Sequence, residues 1–151
     1  MNILAFDLGT KCGWALSPES SGVWCLKPST HESSGQRYFK FREHLNQIFL
    51  FNKIDLVVYE EVHAHIGVEA AHVYGGLVAI LQSVCIDNGI EYRGVSVQTI
   101  KKHATSKSNA SKDEMVKSAI LKFKHVHIID DNHADVLMLL SYASEFICHS
   151  N

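Results

Sequence analysis

Apolar positions follow two different periods along this chain. Residues 2–8 hold a continuous apolar run, Ile3-Leu4-Ala5-Phe6, closed by Asp7, and read as a buried strand. Cys12 to Ser17 reads as a second strand, joined through Gly9-Thr10-Lys11. Gly22 to Leu26 reads as a third, completing an antiparallel meander. Residues 28–36 are rich in Pro, Ser, Thr and Gly and predict a loop. Tyr38, Phe41, Leu45, Ile48 and Phe49 then recur at helical spacing over 37–52. Asp55 to Tyr59 is a near-continuous apolar strand of the kind covered on both faces of a sheet. Val73, Leu77, Ile80, Leu81 and Val84 mark a helix over 68–87, ended by Asn88-Gly89. Ile90 to Val97 reads as a further strand. Ser111-Lys112-Asp113-Glu114 is a capping box before another helix. The last helix is expected from about Asn132 to Ile147. Alternation of strand and helix in the second half predicts an α/β domain with a mixed sheet.

At 151 residues and 46% hydrophobic content, the chain predicts one globular domain over 1–151. The longest uninterrupted apolar runs are far short of a membrane span. The start, Met1-Asn2-Ile3-Leu4, has no basic n-region or cleavage site. Cys12, Cys25, Cys85 and Cys148 show no C-x-x-C spacing, which predicts reduced thiols and a cytoplasmic protein.

Net charge is −2, so this is not a simple basic DNA-binding chain. Between Lys101 and Lys124, however, seven lysines face only Asp113 and Glu114, a local excess of five positive charges. A basic segment beside an acidic, cation-filled site suits a phosphate-backbone substrate. On charge alone, a solvated helix face explains the lysines equally well.

The acids carry the chemistry. Asp7 and Glu60 each close a buried apolar run, and Asp131 and Asp135 open the last one. A carboxylate at the end of a buried element is costly without a partner. Several converging carboxylates repel one another unless a cation lies between them, and hard divalent cations are held by carboxylates, water and phosphates. Glu60 and Glu61 compete for one role, because strand alternation turns only one of them into the site. His63, His65 and His72 lack a fourth ligand at spacing suited to zinc.

Taken in order, these residues resemble a known family. Asp7-Leu8-Gly9-Thr10 with Gly13-Trp14-Ala15 looks like the opening of RuvC-type Holliday junction resolvases. Val58-Tyr59-Glu60-Glu61-Val62 is similar to their second acidic motif. Ile100-Lys101 followed by Ala110-Ser111-Lys112 resembles their lysine-bearing segment, and Asn132-His133-Ala134-Asp135 their closing motif. The stretch from His63 to Leu81 looks most like phage and prophage members. The likeness covers nearly the whole chain. Asp-x-Gly-Thr also opens the phosphate-binding hairpin of actin-like ATPases, but those need two lobes and about twice this length or more.

The resemblance implies an RNase H-like fold with a mixed five-stranded sheet flanked by helices. The three N-terminal strands would be antiparallel and the later ones parallel. It implies a homodimer that nicks four-way DNA junctions symmetrically, with two magnesium ions per active site (manganese substituting) and no nucleotide cofactor. Metal ligands would be Asp7, Glu60 and Asp135, completed by Asn132 or Asp131. Two ions roughly 4 Å apart would drive in-line hydrolysis to a 5′-phosphate and a 3′-hydroxyl. Lys112 would stabilise transition-state charge, although a cation is not favoured in a helix first turn. Lys101, Lys102 and Lys107 would contact DNA, and His63 would stack on bases at the junction. Two departures stand out: Asn132 where the family commonly has an acid, and Ser106-Lys107-Ser108 where it often has glycines. Asn132 keeps open a binding module that has lost catalysis. Other nucleases of the same fold, acting on RNA/DNA hybrids or in RNA processing, remain alternatives, as does a small phosphotransfer ATPase.

Overall fold

The computed structural model describes residues 1–148; the last three residues of the expected 1–151 domain lie outside it. Five strands, β1 (Ile3–Asp7), β2 (Lys11–Ala15), β3 (Ser21–Cys25), β4 (Leu56–Glu61) and β5 (Glu91–Ser96), form one sheet in the order β3-β2-β1-β4-β5. β1 to β3 are antiparallel, and β4 and β5 run parallel to β1. This is the mixed arrangement expected from the sequence. The helices are α1 (Gln36–Phe51), α2 (Val68–Asp87), α3 (Val97–Thr105), α4 (Lys112–Lys122) and α5 (Asp131–Tyr142), followed by a π-helical turn, Ala143–Ile147.

Side-chain alternation divides the core into two layers. Ile3 and Ala5 of β1, with Leu56 and Val58 of β4, pack under α5 with Met115 of α4 and Ile100 of α3. Leu4, Phe6, Val57 and Tyr59 face the other way, against Phe41 and Leu45 of α1 and Leu77 and Leu81 of α2. The same alternation carries Asp7 and Glu60 onto the α5 face. It turns Glu61 to the opposite one.

Two segments depart from expectation. The strand expected to end at Val97 stops at Ser96, and residues 97–105 form α3. The Ser96 hydroxyl accepts the Thr99 N–H at 3.2 Å, an ordinary N-cap. Val97, Ile100 and Ala104 form a helical stripe, but it is only three residues long and Ile100 alone is buried, so the segment reads as a continuation of the strand. The last helix starts one residue earlier than expected, at Asp131, and loses α geometry at Ala143. The Ser111–Glu114 capping box forms as read, with both reciprocal bonds present. By length and composition, α2 is apolar enough to cross a membrane, although its inner residues pack on the sheet.

Gly13 fixes how closely α5 meets the sheet. It pairs with Asp7, and a Cβ placed on it would lie 2.6 Å from the Asn132 carbonyl oxygen. Backbone meets backbone there, so the contact cannot relax by side-chain rotation. Gly13→Ala is predicted to lower the unfolding free energy by about 1–3 kcal/mol, read from urea denaturation.

Candidate active site

Asp7 ends β1, and Glu60 follows Tyr59, which pairs with Phe6, so the two acids sit side by side at the carboxyl ends of adjacent parallel strands. Asp135 lies one turn inside α5, whose first residues cross Gly13 beside Asp7. The three acids therefore come from three elements and share one face of the sheet. Glu60 and Asp135 line a cleft of about 180 Å³ together with Lys101 and Lys112.

The electrostatics record this convergence. Burial, then Glu60 and Asp135, with smaller contributions from Asp131 and Asp130, holds the Asp7 carboxyl well above the usual range. Burial and then Asp135 push Glu60 up to about 7, against the opposing pull of Lys101. Burial and then Asp131 push Asp135 up to about 6, opposed by Lys101 and Lys112. Each group resists ionisation because water is excluded and its neighbours carry the same charge. Such a donor set fits a hard divalent cation, which takes carboxylate oxygens and supplies the missing positive charge. Among the described residues, no three His, Cys, Asp or Glu side chains stand around a common point as they are. Joint ligation by Asp7, Glu60 and Asp135 therefore requires their carboxylates to rotate inward.

Asp131 and Asn132 are both placed near these acids but are otherwise engaged. Asp131 pairs with Lys112 at 2.9 Å, which lowers its pKa, chiefly through that hydrogen bond. The Asn132 amide donates to Asp130 at 3.4 Å. Lys112 itself is 81% exposed at the first position of α4. Its unfavourable place in a helix first turn is offset by Asp131 across the cleft.

The other lysines are spread along the rim. Lys101 faces the acids from α3, and Lys102 is exposed beside it. Lys107 pairs with Glu114 at 2.9 Å; the Ser111 backbone N–H, and then Lys107, hold Glu114 down to about 2. Ser106, at the end of α3, takes φ +66°, a left-handed conformation that favours glycine. His63 is exposed, 3.6 Å from Glu61, and is not among the residues that line the cleft.

Sequence reasoning missed Asp130 and the role of His133. Asp130 caps α5 by accepting the His133 N–H at 2.9 Å, and it adds to the negative field on Asp7. An aspartate just before an apolar helix is a legible cap signal. His133 is buried. Its Nδ1 accepts from the Ile129 N–H at 3.2 Å, and its Nε2 lies 2.8 Å from the Ser21 hydroxyl. The first of these fixes the neutral tautomer with the proton on Nε2. The start of α5 is thus pinned to β3 on one side and to Gly13 on the other.

No family model matches the chain, and no curated protein matches it. Solved structures do. RuvC from Thermus thermophilus in complex with a Holliday junction substrate has a TM-score of 0.74 at 18% identity, with 96% of each chain covered. A second T. thermophilus RuvC structure has a TM-score of 0.70 at 18% identity and the same coverage. The yeast mitochondrial Holliday junction resolvase Ydc2 has a TM-score of 0.65 at 15% identity, covering 93% of this chain and 76% of that one. The fold is therefore the RuvC, RNase H-like fold.

The raised acids make a stability prediction with a defined sign. Between the ordinary glutamate value near 4.5 and about 7, Glu60 binds its proton in the folded chain but not in the unfolded one. Stability therefore falls as pH rises through that window. Without divalent cations, Glu60→Gln is expected to raise unfolding free energy by about 1–3 kcal/mol at pH 7.5. The gain should vanish below about pH 4.5, as followed by thermal unfolding across pH.

Proposed function

We propose that this chain is a structure-selective endonuclease that resolves four-way DNA junctions by metal-assisted phosphodiester hydrolysis. The observation that carries this reading is the convergence of Asp7, Glu60 and Asp135 at one end of the sheet, in the fold shared with junction resolvases. A RuvC of that fold holds a Holliday junction substrate, and we carry that substrate class over to this chain.

In this reading Asp7, Glu60 and Asp135, with Asn132 or Asp131, hold two magnesium ions, for which manganese substitutes. When bound, these ions supply an activated water and offset charge on the leaving oxygen. The protein's part is placement. Asp7 and Glu60 are fixed by strand pairing, and Asp135 by the pinned start of α5. Lys101 and Lys112 face the same cleft with positive charge for the phosphate oxygens. Lys112 is released to DNA only as its bond to Asp131 is given up. Products are a 5′-phosphate and a 3′-hydroxyl. In this reading Lys102 and Lys107 extend the basic rim, and His63, exposed in the segment after β4, stacks on junction bases.

We also infer a homodimer through α2. Val68, Ala71, Gly75, Ala79 and Ile86 are exposed along one stripe of this helix, an apolar face larger than isolated surface residues produce. A two-fold axis through it gives two sites for two strands. The inferred setting is bacterial or phage-infected cytoplasm.

Incubation with four-way, flap, duplex and hybrid substrates tests the activity. Paired symmetric nicks in the four-way junction are expected with magnesium, and none with chelator. Asp7→Asn should reduce cutting by roughly a hundredfold or more while junction binding is retained; cutting at an undiminished rate overturns the assignment. Ala79→Arg should shift the mass measured by light scattering from dimer to monomer.

A further inference from the structure

The same end of the sheet carries a second opening, on the α1–α2 face rather than the α5 face. A cavity of about 530 Å³ lies between the β1–β2 turn, the start of α1 and the start of α2. Gly9 and Thr10, two and three residues past Asp7, line one side; Arg37 and His65 line others. Two side-chain nitrogens here are shut off from solvent with no hydrogen-bond partner: Arg37 Nε and His65 Nε2. A buried polar nitrogen left in this way carries an uncompensated desolvation cost, larger on a charged group such as the guanidinium. Orphaned buried groups of this kind are rare, and both belong to side chains that line the cavity, so an occupant reaches them once those side chains turn outward.

A third source of donors meets them. α2 is 20 residues long and opens at Gly67, which has φ +93° and provides no side-chain cap. The residues that follow, Val68, Glu69 and Ala70, border the cavity, so their free amides and the positive helix end lie at its rim. The opposing charge is Glu69, exposed on the same turn. A guanidinium and an uncapped helix start around one cavity, joined by an imidazole that donates when its proton sits on Nε2, make a seat for an oxyanion. The cavity is also tied to the catalytic strand. Tyr74, which borders it, donates its hydroxyl to the Glu60 carbonyl at 2.9 Å and accepts from the Val62 N–H at 3.0 Å.

We propose that this cavity seats a backbone phosphate of a DNA strand crossing the carboxyl end of the sheet, with Arg37 as its principal partner. This rests on the reading of the chain as a nuclease of branched DNA. A strand crossing there engages the α5 face for cutting and the α1–α2 face for anchoring. Arg37 is then a binding residue with no direct part in hydrolysis.

The test is equilibrium binding of a labelled four-way junction to the full chain, in chelator, across a salt series. For Arg37→Gln the expected result is about tenfold weaker binding. The slope of log affinity against log salt should be shallower by about one. Arg37→Lys should restore the slope. Ala70→Glu, an exposed change at the rim that introduces an anion, should weaken binding similarly. Unchanged affinity and slope in both Arg37→Gln and Ala70→Glu overturn the inference; if the wild-type chain still nicks junctions, the nuclease reading stands without it. An Arg37-dependent slope in a chain that cuts nothing upholds the inference and removes the nuclease reading. A wild-type chain that binds no DNA overturns both.

Discussion

Mutual repulsion among Asp7, Glu60 and Asp135 is the constraint around which the rest of the structure is arranged. Parallel pairing of β1 with β4 forces the first two acids to be neighbours. The third arrives on α5, which can approach only because Gly13 has no side chain. Left alone, three carboxylates in a water-poor cleft would drive α5 away from the sheet. Asp130 and His133 oppose this by tying the start of α5 to its own cap, to the Ile129 amide and to Ser21. Lys101 and Lys112 supply part of the compensating charge. The remainder is what a divalent cation would add.

The same constraint explains how the lysines are distributed. Lys112 is poorly placed for helix stability yet well placed for Asp131 across the cleft. One acid thereby stays ionised and engaged while its neighbours are held in a range where protonation competes. Asp131 is consequently better read as holding the lysine than as equivalent to Asp7. Lys107, by contrast, is absorbed into the cap of α4 through Glu114. Like Lys112, it meets a phosphate only as it gives up its acid.

Much of this was legible in the sequence, for reasons specific to each residue. Asp7, Glu60 and Asp135 each interrupt the end or beginning of an apolar run, and buried runs have few reasons to finish in a carboxylate. Alternation within β4 let only one of Glu60 and Glu61 enter the site, and the likeness to the second acidic motif selected Glu60. α3 was missed, because the short stripe of Val97, Ile100 and Ala104 behind the Ser96 cap runs straight on from the apolar end of β5. The partner of Asp131 was equally hidden, since Lys112 lies far away along the chain. The cavity around Arg37 draws on three separate segments, and an unpaired nitrogen exists only once those segments have packed.

Anomalous diffraction from a crystal grown with manganese addresses the converging carboxylates most directly. The expected map has a manganese peak within bonding distance, roughly 2–2.5 Å, of oxygens from Asp7, Glu60 and Asp135. Manganese bound elsewhere, with no peak in contact with Asp7, would contradict the reading of these acids as a metal centre.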